Sequence, residues 1–260
     1  MKLLRLASLG AVAVATAAFA PLSTAEAQCS AVAFGIRCWG IDTDGSEGSR
    51  ASNVNALAAR NGFFGFLSGV GTEDFESFGA GTTPPIGINF GAAGTATIVG
   101  TGEVASQGAG TNGFGRYPIS GTKYFEAASG TQQTQGAFRI DFSNPVAAFG
   151  FYGVDLGDFN SNVFLRFTLA GGGTYDWTLP YTTPEQGGNI QYAGVIDTRT
   201  FTSVEFLSTA GTSTGDFFGF DDFSIGSIEQ VTVPEPATLA LTAFGLIGLG
   251  GVARRRRQTV

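Results

Sequence analysis

Histidine does not occur among the 260 residues of this sequence, and methionine occurs only once. Histidine is the commonest general base and metal ligand in proteins, so its absence excludes histidine-based catalytic triads and zinc sites. No pair of carboxylates stands out as the acid and base of a glycosidase. We therefore expect a protein that is not an enzyme.

Basic residues are scarce between the two terminal segments of the chain. Residues 28–233 contain 8 basic and 19 acidic side chains, a net charge of −11. A surface of this sign repels the phosphates of nucleic acids and the headgroups of anionic membranes. No nucleic-acid partner is expected, whereas divalent cations are attracted.

The first 27 residues have the layout of a secretory signal peptide. Lys2 and Arg5 give a positive start, residues 6–20 are apolar, and Ala25-Glu26-Ala27 fits the cleavage pattern. We expect export through the inner membrane, with Gln28 as the first mature residue. A start helix retained in the membrane is the alternative.

Only two cysteines, Cys29 and Cys38, are present, and they follow the predicted signal peptide closely. In an exported chain this number is typical of one disulfide, which would close a small loop. Two unpaired thiols are the alternative. We assign residues 28–72 to this disulfide loop and one short helix, predicted over 52–68 from a shared face of Ala56, Ala59, Phe63, Phe66 and Leu67.

From residue 73 to residue 230, short apolar segments alternate with turns, without intervening helices. Strands are predicted at 137–142, 146–154, 162–170, 174–179, 190–196, 203–207 and 217–228. Gly171-Gly172-Gly173 marks a hairpin, and Ser143-Asn144-Pro145 marks a turn. This pattern predicts an all-β fold, an antiparallel β-sandwich with one short N-terminal helix. Residues 79–115 allow either weak strands around 86–90 and 96–99 or long loops.

The last residues combine the most apolar segment of the chain with its densest charge. A linker at 231–236 contains two prolines, which hold it extended. Residues 237–253 carry no charge, and as a helix they would be about 26 Å long, near the lower limit for a transmembrane helix. The basic tail at 254–260 would stay in the cytoplasm by the positive-inside rule.

Taken in order, these C-terminal features resemble the PEP-CTERM sorting signal. The residues that carry the resemblance are Pro234, Glu235, Pro236, the apolar run, Arg254, Arg255, Arg256 and Arg257. The resemblance implies a partner, the exosortase, a membrane-embedded processing enzyme of exopolysaccharide-producing Gram-negative bacteria. It implies a transient anchor in the inner membrane, removal of the tail, and delivery to the cell envelope, cell surface or extracellular matrix.

Three segments of the predicted sandwich resemble jelly-roll domains that are similar to carbohydrate-binding modules. They are D-F-E-S-F at 74–78, the stretch N-P-V-A-A-F-G-F-Y-G-V-D-L-G-D-F at 144–159, and F-F-G-F-D-D-F-S-I-G at 217–226. Such domains often hold a structural calcium between an acidic residue on the first strand and an aspartate on the last. The resemblance implies calcium as a cofactor, with Glu76 and Asp222 as ligands, if backbone carbonyls complete the shell. Surface carboxylates at a sheet end are the alternative.

Two further groups could serve a glycan. Tyr175, Trp177 and Tyr181 cluster around the second strand of the Gly171–Gly173 hairpin, and Tyr175 and Trp177 share one face by alternation. Exposed aromatic rings stack on sugars, whereas buried ones pack into the sandwich. Asp155 and Asp158 could accept bonds from sugar hydroxyls or bind a cation, or could instead stabilise a turn.

The sequence thus predicts an exported, non-catalytic protein of the envelope or biofilm matrix that associates with exopolysaccharide. A structural or adhesive surface protein without glycan binding is the first alternative. A polysaccharide-active enzyme is the second.

Overall fold

The computed structural model describes residues 28–128, 138–157, 163–180, 187–208 and 217–232. The predicted signal peptide, the segment 233–260 with the sorting motif and the predicted transmembrane helix, Asp158 and Tyr181 lie outside these ranges. Within them, no helix combines the length and apolar composition needed to cross a membrane.

The described residues form twelve strands and one α-helix, so the all-β prediction is confirmed. The helix α1 is Asn55–Phe64. The strands are β1 Gln28–Val32, β2 Gly35–Asp42, β3 Gly71–Glu73, β4 Ile86–Asn89, β5 Thr95–Gly100, β6 Glu103–Ser106, β7 Lys123–Ala128, β8 Phe138–Val154, β9 Val163–Leu169, β10 Thr174–Thr178, β11 Ile190–Ser208 and β12 Phe217–Gly226. Residues 79–115 hold three of these strands, which decides between the two alternatives.

Two long strands build both sheets of the sandwich. The second half of β8 pairs with β12 on one side and with the first half of β11 on the other. The first half of β11 pairs in turn with β2, and β2 pairs with β1. The first half of β8 pairs with β5 on one side and with the second half of β11 on the other. The second half of β11 pairs in turn with β9, and β9 pairs with β10. We call these layers the first and the second sheet. All pairings are antiparallel, as predicted for a sandwich.

The predicted turn at residues 143–145 is wrong, because these residues lie within one continuous strand. Ser143, Asn144 and Pro145 are exposed where β8 passes from the second sheet to the first. The register with β11 shifts here, so that Asp141 faces Ser203 and Val146 faces Phe201. The predicted strands at 190–196 and 203–207 are likewise two halves of β11.

The space between the sheets is filled mainly by phenylalanine. Phe138, for example, packs 4.2 Å from Phe206 between ring centres and meets Phe220 edge-on at 5.1 Å. Offset and edge-to-face pairs of this kind add to the stability that burial provides. The demand for large apolar side chains on inward-facing positions explains much of the phenylalanine content of the chain.

Helix α1 covers the outer face of the first sheet. Its buried residues are Ala56, Ala59 and Phe63, part of the face that the sequence predicts, but the helix is shorter than the predicted 52–68. No side chain at the residue preceding the helix caps its first turn. The Asp42 carboxylate at the end of β2 accepts the N–H groups of Asn55 and Ala56 instead, both at 2.9 Å.

The N-terminal residues belong to the same sandwich. Cys29 and Cys38 are opposite each other in the β1–β2 pair and form a disulfide. Strand β2 then pairs with β11 over its whole length. A Cβ atom at Gly35 would lie 1.8 Å from the Ile196 carbonyl oxygen, so only glycine permits this approach. The segment 28–72 therefore supplies strands to the sheets, rather than preceding them.

Candidate functional site

One edge of the sandwich brings β2 of the first sheet opposite β10 of the second. On β2, Ile36 and Cys38 face the helix side, so Arg37 and Trp39 face the space between the sheets. On β10, Tyr175 and Trp177 point inward, and Thr174, Asp176 and Thr178 are exposed. We call the group Arg37, Trp39, Tyr175, Trp177 and Arg199 the edge cluster.

The Arg37 guanidinium lies between two aromatic rings of β10. Its central carbon is 5.0 Å from the ring centres of both Tyr175 and Trp177. Its Nη1 donates to the Tyr175 hydroxyl at 3.4 Å. The ring of Phe167 also stacks on Tyr175, at 4.9 Å between ring centres. The guanidinium is therefore held by cation–π contacts at a partly buried position.

A second arginine reaches the same tyrosine from β11. The Arg199 guanidinium carbon lies 4.8 Å from the Tyr175 ring centre and 4.2 Å from that of Phe34. The Arg199 side chain also donates two hydrogen bonds to the Asp197 carboxylate, at 2.9 and 2.5 Å, and its backbone N–H donates a third at 3.0 Å. Burial raises the pKa of Tyr175 to about 12, so its hydroxyl keeps its proton at neutral pH. Burial alone would also raise the pKa of Asp197, but the bonds from Arg199 lower it, and the carboxylate stays ionised.

The tip of the β1–β2 hairpin borders the edge cluster. Phe34 is 51% exposed and Val32 is 43% exposed. The Phe34 carbonyl accepts bonds from the backbone N–H and the hydroxyl of Thr198, which fix the tip to β11. The edge cluster thus lies beside exposed apolar surface.

Tyr175 and Trp177 share one face, as alternation predicts, and both pack on the core while remaining partly exposed. Because both rings are partly buried, they do not form a flat, fully exposed surface on which a sugar could stack. Sequence reasoning missed Arg37, Trp39 and Arg199. The one available signal was that Trp39 and Trp177 are the only tryptophans of the chain, each on a short strand beside polar residues.

The carboxylates predicted as calcium ligands lie elsewhere, around residues 119–123. The Glu76 Oε1 atom accepts the N–H groups of Thr122 and Lys123, both at 2.6 Å. Asp222 accepts the Ser120 hydroxyl at 2.7 Å. Glu76 lies in the turn after β3, and not on a strand as predicted.

Asp221 completes this anchorage of residues 119–123. Its carboxylate accepts the N–H groups of Ile119 and Ser120, at 2.7 and 3.0 Å. Asp221 is fully buried and Asp222 is nearly so. Burial and the charge of Asp222 raise the pKa of Asp221.

Both predicted calcium ligands accept bonds from protein donors in this region. Calcium requires six to eight oxygen ligands, so further oxygens would have to complete a shell around Glu76 and Asp222. No group of three or more acidic, histidine or cysteine residues with metal-site geometry occurs among the residues described. Calcium binding at Glu76 and Asp222 stays a prediction.

The predicted candidate Asp155, and Asp44 in the loop before α1, also have structural partners. Asp155 is 2% exposed, and its Oδ1 accepts the N–H of Gly188 at 2.8 Å. Asp44 accepts the N–H of Ser52 at 2.9 Å, which lowers its pKa. Asp155 therefore ties two loops together, and Asp44 stabilises the loop before α1.

Comparison with known proteins identifies the C-terminal segment. Residues 232–257 match the family model of the PEP-CTERM protein-sorting motif. The chain carries a PEP-CTERM sorting signal. The PEP-CTERM match includes Pro234, Glu235, Pro236 and all four arginines from Arg254 to Arg257. It describes sorting, and it leaves the edge cluster without an assigned role.

The solved structures that resemble this chain do so distantly. The K2 cleaved adhesin domain of Lys-gingipain is 13% identical, with 60% of this chain and 98% of that one covered and a TM-score of 0.36. The C-terminal family 22 carbohydrate-binding module of Clostridium thermocellum Xyn10B is 16% identical, with coverages of 54% and 91% and a TM-score of 0.34. A xylan-binding domain of the same family is 16% identical, with coverages of 59% and 96% and a TM-score of 0.34. No curated protein matches the chain.

Proposed function

We propose that this protein is an exported, non-catalytic component of the cell envelope or extracellular matrix that binds exopolysaccharide. An exosortase would recognise the PEP-CTERM signal, remove the membrane segment and release the sandwich to the cell surface or the matrix. The edge cluster would then contact the polysaccharide.

The observation that carries the glycan proposal is the composition of the edge cluster. Aromatic rings contact the apolar faces of sugars, and guanidinium groups donate hydrogen bonds to sugar oxygens. Trp177, Tyr175 and Arg37 place both kinds of group within one partly exposed cluster. The edge cluster has no pair of free carboxylates for hydrolysis, since Asp197 is bonded to Arg199.

Two measurements test the proposal. Fractionation of the host with and without its exosortase should find shortened protein outside the inner membrane only when the exosortase is present. Full-length protein in the inner membrane of both strains would refute the sorting step. Affinity electrophoresis in gels with the host's own exopolysaccharide should retard the protein, and unchanged mobility would refute glycan binding.

A structural or adhesive role without glycan binding is the second candidate. Strand β1 is an outer strand of the first sheet among the described residues, and Val32 and Phe34 are exposed beside it. Unprotected edge strands favour pairing between chains. Concentration-dependent self-association, together with unchanged mobility in polysaccharide gels, would favour this candidate.

A further inference from the structure

Arg37 differs from the other arginine of the edge cluster in having no acidic partner among the residues that the structure describes. Within the described parts of the chain, four arginines have a carboxylate within 4.0 Å: Arg116, Arg139, Arg166 and Arg199. The described contacts of Arg37 are the Tyr175 hydroxyl and three aromatic rings. A guanidinium has five N–H donors in a planar fork, and one of them is accounted for here.

The local charge is opposite in sign to that of the whole domain. Among the described residues, the carboxylate beside Arg37 and Arg199 that is bonded within this group is Asp197, which is 3% exposed and accepts two side-chain bonds and one backbone bond from Arg199. The edge cluster therefore has one positive charge in excess, in a segment whose net charge is −11. An anionic ligand would be repelled by most of the surface and attracted at this edge.

A partly buried cation without a counter-ion has an unfavourable free energy of desolvation, which an incoming anion would offset. Carboxylates suit this position because both oxygens can accept from one guanidinium fork. The aromatic rings beside Arg37 hold the guanidinium in place before any ligand arrives, so little conformational entropy remains to be lost on binding.

We propose that Arg37 recognises the carboxylate groups of an acidic polysaccharide, while the ring of Trp177 contacts the apolar face of the same or a neighbouring sugar. The ligand class is a carboxylated glycan, such as a polymer of uronic acids. This inference rests on the proposed function and specifies the chemistry of its ligand.

The test compares the host's exopolysaccharide before and after chemical reduction of its carboxyl groups to alcohols. The protein is purified from its host in the form that the host produces, and binding is followed by tryptophan fluorescence. Trp39 and Trp177 are the only tryptophans of the chain and both belong to the edge cluster. We expect the native polymer to bind at least about tenfold more tightly than the reduced one, since bonds to charged groups are the stronger ones. Salt should weaken only the binding of the native polymer.

Substitutions of Arg37 test whether this residue causes the preference for the native polymer over the reduced one. Arg37→Gln should abolish the preference for the native polymer, with a loss of about tenfold to a hundredfold in affinity. Arg37→Lys keeps the charge without the fork, and should retain part of the preference. The matched control is Arg139→Gln, which removes the same charge from a pair with Asp141 that is exposed elsewhere.

The outcomes separate the inference from the proposed function. Equal affinity for both polymers in the wild type, or an unchanged preference in Arg37→Gln, would overturn the inference and leave glycan binding intact. Binding to neither polymer would overturn both. Circular dichroism identifies unfolding in Arg37→Gln, and in that case Arg37→Lys decides.

Discussion

The guanidinium carbon of Arg37 lies 5.0 Å from the centre of the Trp177 ring, although the two residues are far apart in the chain. Arg37 is on β2 of the first sheet and Trp177 is on β10 of the second. Their contact therefore exists only when the two sheets close on each other. The edge cluster therefore forms only through tertiary folding. Single substitutions in it can test what each side chain contributes to ligand binding.

Replacement of Trp177 by alanine should weaken binding to the host's exopolysaccharide. The variant loses the ring that would contact the sugar, an interaction of about 0.5–1.5 kcal/mol, or roughly twofold to tenfold in affinity. Affinity electrophoresis measures the change in retardation. Phe114→Ala is the control, because Phe114 is 66% exposed but lies outside the edge cluster. Equal losses in both variants would contradict a specific role of Trp177.

Replacement of Asp42 by alanine should destabilise the attachment of α1. The carboxylate accepts the first N–H groups of the helix, at Asn55 and Ala56. Loss of such a cap lowers the free energy of unfolding by about 1–2 kcal/mol, a fall of several degrees in Tm. Thermal unfolding followed by circular dichroism measures it. Asp44→Ala removes bonds from Ser52, which lies before the helix, and should cost less. The reverse order would show that Asp42 does not cap the helix.

Stability should fall in acid partly through Glu76. Hydrogen bonds from Thr122 and Lys123 lower the pKa of this carboxyl below its usual 4.5 in the folded protein. The unfolded chain therefore takes up the proton first as the pH falls, so stability present above pH 4.5 is lost as the pH drops through the folded pKa.

The variant Glu76→Gln should have a lower Tm than the wild type at pH 7 and a smaller decrease between pH 7 and pH 3.5. Glu103→Gln, at an exposed position on β6, is the control and should behave as the wild type. A wild-type pH profile in Glu76→Gln would show that this carboxylate does not anchor residues 122 and 123.

The calcium prediction is tested by melting with and without a chelator. Calcium held by Glu76 and Asp222 would raise Tm by mass action, so chelation should lower it in the wild type. Chelation should have no further effect in Glu76→Ala or Asp222→Ala. An unchanged wild-type midpoint would contradict the prediction, and the carboxylates would then act only through Ser120, Thr122 and Lys123.

Alternation and turn residues predicted the sandwich because inward-facing positions repeat every second residue. The same local signals misplaced a turn at residues 143–145. Proline interrupts pairing in a central strand, but Pro145 lies at the exposed bend where β8 changes sheets, so the strand continues. Local sequence does not distinguish a bend of this kind from a chain reversal.

Of the edge cluster, the sequence predicted the two aromatic residues of β10 but neither arginine, because only local spacing can be seen in a sequence. Tyr175 and Trp177 lie two positions apart, so their shared face follows from the period of a strand. Arg37 and Arg199 reach them from other strands, and no local pattern reports such contacts. The cap of α1 by Asp42 is equally invisible to local patterns, since Asp42 lies 13 residues before Asn55 in the chain.

The most direct test of the central claim is a fluorescence titration of the host-purified protein with the host's own exopolysaccharide. Trp177 contacts Arg37, and Trp39, the only other tryptophan, lies on the same face of β2 as Arg37 and packs on the core. Our account predicts a saturable change in tryptophan emission that is reversed at high salt. Emission that stays constant over the whole titration, together with unretarded migration in the polysaccharide gel, would contradict it.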